Sequence, residues 1–108
     1  KAKEKFMPRL YYITTKTKEE VKKIARKLLQ ENCIAGANIF PIESLYWWEG
    51  EICEGEEYAL VMQSVKENSA KIEEWVKTLH SYKIPCIVSL ELAGGSKDFF
   101  HWIKTNTK

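Results

Sequence analysis

The stretch 39-IFPIESLYWWEGEICEGEEYALVMQS-64 decides the fold. Aromatic and β-branched residues run along both halves, and Trp48-Glu49-Gly50-Glu51 interrupts them in the middle. Such residues favour extended strands, and glycine readily adopts the positive φ that a tight turn requires. The stretch is therefore predicted to form one long β-hairpin with Gly50 in its turn.

The length of this hairpin predicts a second feature. About twelve extended residues reach about 40 Å, whereas a helix of about 15 residues covers only about 22 Å. The helices of so short a chain leave the aromatic tip of the hairpin uncovered. Because exposed apolar strands tend to associate with other chains, we expect other copies of this chain to cover the tip.

Composition limits the classes of protein that the chain can belong to. Its 108 residues suffice for a single domain over 1–108, with a loosely ordered tail expected at 1–8. Seventeen basic and fifteen acidic residues leave a net charge of +2, which is too small to favour nucleic acid as a partner. No uncharged run is long enough to span a membrane. Three cysteines without C-x-x-C spacing favour a reducing compartment, the cytoplasm, over a disulfide framework. The chain starts at Lys1, so a removed leader stays open.

The remaining elements follow from caps and hydrophobic spacing. RLYYITT at residues 9–15 predicts a central strand. Thr17-x-x-Glu20 predicts a capping box, in which Thr17 accepts from the Glu20 amide and Glu20 reaches back to the Thr17 amide. That helix runs to about residue 31. After the hairpin we expect a second helix capped by Asn68 or Ser69, a strand at residues 86–92, and a short helix after Ser96.

This element order predicts the fold class. A βαββαβ order followed by a short helix is the α+β, ferredoxin-like split βαβ plan. Its antiparallel sheet carries helices on one face. The plan hosts many unrelated activities, so function does not follow from it.

Four segments resemble, in order and spacing, the divalent-cation tolerance (CutA) family: IAGANIFPIESLYWWEGEI, EEYALVMQS, KTLHSYKIPCIVSLEL and DFFHWI. No single element is specific, but the ordered set is. The match covers roughly residues 9 to 105. The matching positions are Asn38, Pro41, Ser44, Tyr46, Trp48, Gly50, Glu57, His80, Tyr82, Pro85, Phe99 and Trp102.

The resemblance implies a homotrimer joined through the long hairpins, with clefts between subunits near His80 and Tyr82. It implies a non-enzymatic role in tolerance of copper and other divalent cations, with Cu(II) or a similar cation weakly held and no organic cofactor. The implied metal ligands are His80 and Glu57. The implied ligand cleft consists of Asn38, Tyr46, Trp48, Gln63, Tyr82 and Trp102.

Two positions depart from the family pattern. Members commonly carry a Cys where this chain has Gly36, and a Lys-Thr pair where it has Gln63-Ser64. Thiolate is the soft ligand that copper prefers, so a copper site that depends on thiolate is in doubt. If the family's cleft is present here, Gly36→Cys is predicted to strengthen soft-metal binding.

Each candidate also has a structural interpretation. His80 either binds Cu(II) or Zn(II), or interacts with free carbonyls at the end of the second helix. Glu57 either binds a cation or belongs to a solvated, acidic hairpin edge. The aromatic side chains either line a ligand pocket or pack in an interface. Asn38 is either a donor in the cleft or tied to its own backbone.

Other functions share this element order. A single-stranded RNA-binding module of the RRM type is disfavoured, since EEYALVMQSV lacks the aromatic pattern of that family's third strand. An acylphosphatase-type enzyme needs a phosphate-cradling loop with an Arg, and residues 14–17 contain neither Gly nor Arg. A small-ligand sensor or scaffold trimer without metal remains the other alternative.

Overall fold

The computed structural model describes residues 6–108, so residues 1–5 of the tail expected at 1–8 lie outside them. The elements are β1 Pro8–Thr15, α1 Lys18–Gln30, β2 Gly36–Trp48, β3 Glu51–Val65, a 3-10 turn Lys66–Asn68, α2 Ser69–Leu79, β4 Ile87–Glu91 and α3 Lys97–Thr105. The predicted tail extends too far, because Pro8 already belongs to β1. The Met7 carbonyl also accepts from the Lys66 amide at 2.9 Å.

The sheet has four strands in the order β2-β3-β1-β4, and every neighbouring pair is antiparallel. β1 lies between β3 and β4, as its unbroken apolar middle predicts. The predicted ferredoxin-like plan with an additional C-terminal helix is confirmed.

The long hairpin is confirmed and begins earlier than predicted. β2 and β3 pair without interruption from Gly36 opposite Gln63 to Trp48 opposite Glu51. Glu49 and Gly50 form the turn with φ of 51° and 81°. Two positive φ values in a two-residue connection define a type I′ turn, whose twist matches that of the strands.

The core lies between the sheet and α1 and α2. Side chains alternate along a strand, so one set of residues on β1 and β3 faces these helices. The fully buried members of this core include Ile13, Val21, Ile24, Leu28, Leu60, Met62, Ile72 and Val76. From residue 42 to residue 56, no hairpin residue is buried. The core therefore ends well before the hairpin does.

α3 covers a corner of the opposite face of the sheet. Val65 and Gln63 alternate with the core residue Met62 and so point away from α1 and α2. Ile103 of α3 is fully buried in a small cluster with Val65. The ring of Trp102 lies against Gly36, which pairs with Gln63. The rest of this second face carries exposed apolar residues, among them Phe40, Val88 and Leu90.

Candidate functional site

His80 is held at the end of α2 by two hydrogen bonds. Its side chain is fully buried. Nε2 lies 2.7 Å from the Thr14 carbonyl oxygen, and Nδ1 accepts from the Tyr82 amide at 3.0 Å. Because a carbonyl oxygen only accepts, Nε2 carries the proton and Nδ1 is the acceptor. His80 therefore fastens the loop after α2 to the end of the central strand.

Glu20 holds the same loop from the other side. Its carboxylate accepts from the Ser81 amide at 2.7 Å and the Ser81 hydroxyl at 2.9 Å. One half of the predicted capping box is confirmed, since Thr17 Oγ1 accepts from the Glu20 amide at 3.1 Å. The other half is wrong, because the Glu20 carboxylate turns to Ser81 instead of Thr17. Ser81 offers two donors to the Glu20 carboxylate, and hydrogen bonds to a charged acceptor are strong, so this contact is favoured over the single Thr17 amide.

Tyr82 connects this loop to the hairpin. Its hydroxyl donates to Oε2 of Glu57. Burial, together with the hydrogen bond to the Glu57 carboxylate and its negative charge, raises the pKa of the Tyr82 phenol well above its ordinary value. His80 and Tyr82 are also in ring contact, with centroids 4.8 Å apart.

Glu57 itself is unusual for a carboxylate. It is only 8% exposed. Within residues 6–108, the ion pairs are Lys27–Glu31 and Lys77–Glu73, and neither involves Glu57. The neutral His80 ring lies 3.5 Å from the Glu20 carboxylate. A buried charge is costly unless an opposite charge or several hydrogen bonds compensate it. Among residues 6–108, the Glu57 carboxylate accepts a hydrogen bond from the Tyr82 hydroxyl and has no cationic partner.

The two predicted metal ligands thus differ in their surroundings. Glu57 has no cationic partner among the described residues, whereas both ring nitrogens of His80 are already hydrogen-bonded. A metal at His80 would have to displace the Thr14 carbonyl or the Tyr82 amide. Among the residues that the structure describes, no three His, Cys, Asp or Glu side chains are grouped to hold a metal. Metal binding by His80 stays a prediction.

Asn38, Gln63 and Trp102 form a second group. Gln63 Nε2 donates to Asn38 Oδ1 at 2.9 Å. A Cβ on Gly36 would lie 2.5 Å from Gln63 Oε1 and 3.0 Å from Cη2 of Trp102. The missing side chain at Gly36 therefore makes room for both neighbours. A cysteine at this position would have to push the Gln63 amide aside.

The predicted cleft residues on the hairpin share one face. By strand alternation and register, Asn38, Tyr46 and Trp48 on β2 point to the same side as Gln63 and Glu57 on β3. Gln63 lies six positions after Glu57 on β3, which is about 20 Å of strand. One subunit therefore holds two separate groups of predicted residues, one around Glu57 and Tyr82 and one around Gln63 and Trp102.

The high pKa of Tyr82 predicts how stability depends on pH. The phenol keeps its proton more firmly in the folded chain than in the unfolded chain. Its contribution to stability is therefore complete below the ordinary value of 10.0 and is lost as pH rises above it. We expect the free energy of unfolding of the wild type to fall above about pH 10, and to fall less steeply in Tyr82→Phe. Denaturant unfolding at a series of alkaline pH values measures both slopes.

Glu57→Gln is the matched control for this experiment. This variant lacks the negative charge that contributes to raising the pKa of Tyr82. Its free energy of unfolding should therefore fall with pH less steeply than that of the wild type and more steeply than that of Tyr82→Phe. Some slope remains in Tyr82→Phe, because burial also raises the pKa of Tyr11. If the free energy of unfolding falls equally steeply with pH in Tyr82→Phe and in the wild type, Tyr82 does not cause the alkaline loss of stability.

Comparison with known proteins identifies the family. Residues 9–106 match the family described as CutA1 divalent ion tolerance protein. The chain belongs to this family. The CutA protein of Archaeoglobus fulgidus is 40% identical over 97 residues, which are 90% of this chain and 95% of that protein. The CutA protein of Thermus thermophilus is 35% identical over 102 residues, which are 94% of this chain and 99% of that protein.

A solved CutA structure has the same fold. The structure described as the periplasmic divalent cation tolerance protein CutA from Archaeoglobus fulgidus superposes with a TM-score of 0.92 at 38% identity. The superposition covers 94% of this chain and all of that one. The ferredoxin-like prediction and the resemblance to CutA proteins are both confirmed. Within residues 6–108, no helix is both long enough and apolar enough to cross a bilayer.

Proposed function

We propose that this CutA-family chain takes part in divalent-cation tolerance by binding a cation at Glu57, in a site that is completed when three copies assemble through their hairpins. One observation carries the proposal: the residue Glu57 is only 8% exposed, and no basic side chain pairs with its carboxylate among the described residues. A cation at Glu57 would supply the opposite charge that stabilises a largely buried carboxylate.

The donor set favours a particular class of cation. A carboxylate oxygen suits a hard or borderline divalent ion, such as Zn(II) or Cu(II), better than a soft one. The protonated Tyr82 phenol positions this carboxylate by its hydrogen bond. No thiol stands at Gly36, and Trp102 and Gln63 occupy the space beside it. One carboxylate alone holds a cation weakly, so the remaining ligands come from a neighbouring subunit or from water. The role is binding, with no organic cofactor and no catalytic reaction.

The shape of the subunit supports assembly as a homotrimer. The subunit measures 52 × 25 × 24 Å, because the hairpin extends beyond the helices. At its tip Leu45 is 68% exposed, Trp47 72% and Ile52 64%. Large apolar side chains at this exposure typically mark an interface.

A reducing compartment such as the cytoplasm agrees with three unpaired cysteines, although the Archaeoglobus relative is described as periplasmic.

Two measurements on the same preparation test the proposal. Light scattering on a size-exclusion peak should give the mass of three chains, and calorimetry with Zn(II) or Cu(II) should show weak to moderate binding. Glu57→Gln is expected to lower the metal affinity at least about tenfold, since it removes the charge but keeps the shape. Glu74→Gln, an exposed carboxylate on α2, is the matched control and should bind metal like the wild type.

Two results would reject the proposal. A chain that stays monomeric at micromolar concentration rules out the trimer. Metal affinity that is the same in Glu57→Gln and in the wild type rules out a cation site at Glu57. A trimer that takes up no metal would favour the alternative, a sensor or scaffold for a small organic ligand. One observation favours this alternative: the rings of Phe99 and Trp102 stack with centroids 5.3 Å apart, and the two residues are 44% and 41% exposed.

A further inference from the structure

The side of α1 that faces solvent carries a cluster of positive charge. One stripe of this helix is buried against the sheet, and the opposite side is exposed. Because a helix makes one turn in about 3.6 residues, exposed residues three or four positions apart lie next to each other. We name this exposed surface the basic α1 face; its members are Lys18, Glu19, Lys22, Lys23, Arg26 and Leu29.

The acidic residues of α1 and its C-cap do little to neutralise this face. The Glu20 carboxylate accepts from the Ser81 amide and hydroxyl, so its charge lies at the loop after α2. Glu31 forms an ion pair with Lys27 at 3.3 Å. Glu19 is the acidic residue of this segment that remains on the face. The basic α1 face therefore carries four positive charges and one negative charge.

The cations of the face are not compensated within the described chain. The ion pairs of residues 6–108, Lys27–Glu31 and Lys77–Glu73, involve no member of the face. Like charges four residues apart on a helix destabilise it. Three cations of the face have this spacing: Lys18, Lys22 and Arg26. An anion that lies along this row would relieve the repulsion.

We propose that the basic α1 face binds an acidic peptide segment of another protein, with one carboxylate at each of Lys18, Lys22 and Arg26. Four residues of helix rise about 6 Å. Alternate side chains of an extended peptide are about 6.6 Å apart, so three acidic residues at alternate positions match the row of cations. Leu29 is 41% exposed, three positions after Arg26, and offers an apolar contact to the next residue of the peptide.

A short acidic segment fits this face better than nucleic acid or an anionic membrane. The row of three cations is only about 12 Å long. α2 packs beside α1 and exposes Glu73 and Glu74, which would repel a long polyanion or a flat anionic surface that extends past the row. α1 also contains no aromatic residue on which a nucleic acid base could stack.

Fluorescence anisotropy with a labelled synthetic peptide tests the proposal. The probe carries glutamates at three alternate positions, followed by a leucine. Lys22→Gln with Arg26→Gln is expected to raise the dissociation constant about tenfold or more, and wild-type binding should weaken as NaCl is added. Lys66→Gln with Lys97→Gln removes the same charge from exposed positions outside α1 and should leave the affinity as in the wild type.

Glu19→Gln should have the opposite effect. It removes the negative charge of the face, so the dissociation constant for the peptide should fall severalfold. All these side chains are exposed, and we expect the variants to fold, which circular dichroism checks. Glu57 points to the other side of the sheet, so the metal affinity of each variant should equal that of the wild type. The peptide site and the cation site can therefore fail independently.

Three results would overturn the inference. The first is a wild-type chain that does not bind the peptide at low salt. The second is an equal loss of affinity in the α1 variant and in the Lys66 and Lys97 variant, which would indicate attraction to net charge alone. The third is tighter binding of a DNA duplex or of phosphatidylserine vesicles than of the peptide, lost with Lys22 and Arg26. That result would assign the face to nucleic acid or to a membrane.

Discussion

Replacing His80 with Ala is expected to lower the free energy of unfolding by about 3 kcal/mol. The side chain is fully buried, so its removal leaves a cavity. The substitution also removes the partners of the Thr14 carbonyl and the Tyr82 amide, which lie 2.7 Å and 3.0 Å from the ring. Denaturant unfolding followed by circular dichroism measures the loss.

The two histidines of the chain provide a matched comparison. His101 lies on the exposed side of α3, and its replacement with Ala should change the free energy of unfolding by less than about 0.5 kcal/mol. His80→Gln should be less destabilising than His80→Ala, because a glutamine amide can donate to the Thr14 carbonyl in place of Nε2. Equal losses in His80→Ala and His101→Ala would contradict the structural role.

The same variants separate two explanations of metal binding. Metal affinity is expected to fall in His80→Ala, either because His80 is a ligand or because Tyr82 and Glu57 lose their positions. If His80 only positions the loop, His80→Gln should keep much of the affinity that His80→Ala loses. If His80 is itself a ligand, His80→Gln and His80→Ala should lose the metal affinity to the same extent.

Much of the fold is predictable because its signals are local. Thr17 and Glu20 are three residues apart, and Glu49-Gly50 specifies its turn through its own backbone. Alternation along β2 and β3 then assigns side chains to faces once the register is known. These signals require no knowledge of the rest of the molecule.

The site is less predictable because its contacts depend on distant residues. The Glu20 carboxylate accepts from Ser81, which is 61 residues away along the chain, and not from the nearby Thr17 amide. The family pattern marks Gly36 as a lost ligand, but the structure shows that its missing side chain makes room for Trp102 and Gln63. The sequence predicts a short helix after Ser96 without indicating which face of the sheet this helix, α3, covers. Only tertiary structure decides these three points.

Replacing Trp47 and Ile52 together with Ala is expected to weaken self-association at least about a hundredfold. The two side chains are opposite each other at the hairpin tip and are 72% and 64% exposed in the subunit. Burial of each in an interface contributes roughly 2 kcal/mol, and about 1.4 kcal/mol corresponds to a tenfold change in the dissociation constant. Sedimentation equilibrium on a dilution series measures the change.

The fold of the subunit should survive this double substitution, because neither side chain belongs to the core between the sheet and its helices. The far-ultraviolet circular dichroism should therefore stay close to that of the wild type, while the melting temperature becomes more sensitive to dilution. Leu29→Ala removes a 41% exposed apolar side chain from α1 and is the control. If the double variant keeps the wild-type mass on dilution, the hairpin tip does not lie in the interface. The exposed face of the sheet around Val88 and Leu90 would then be the next surface to test by substitution.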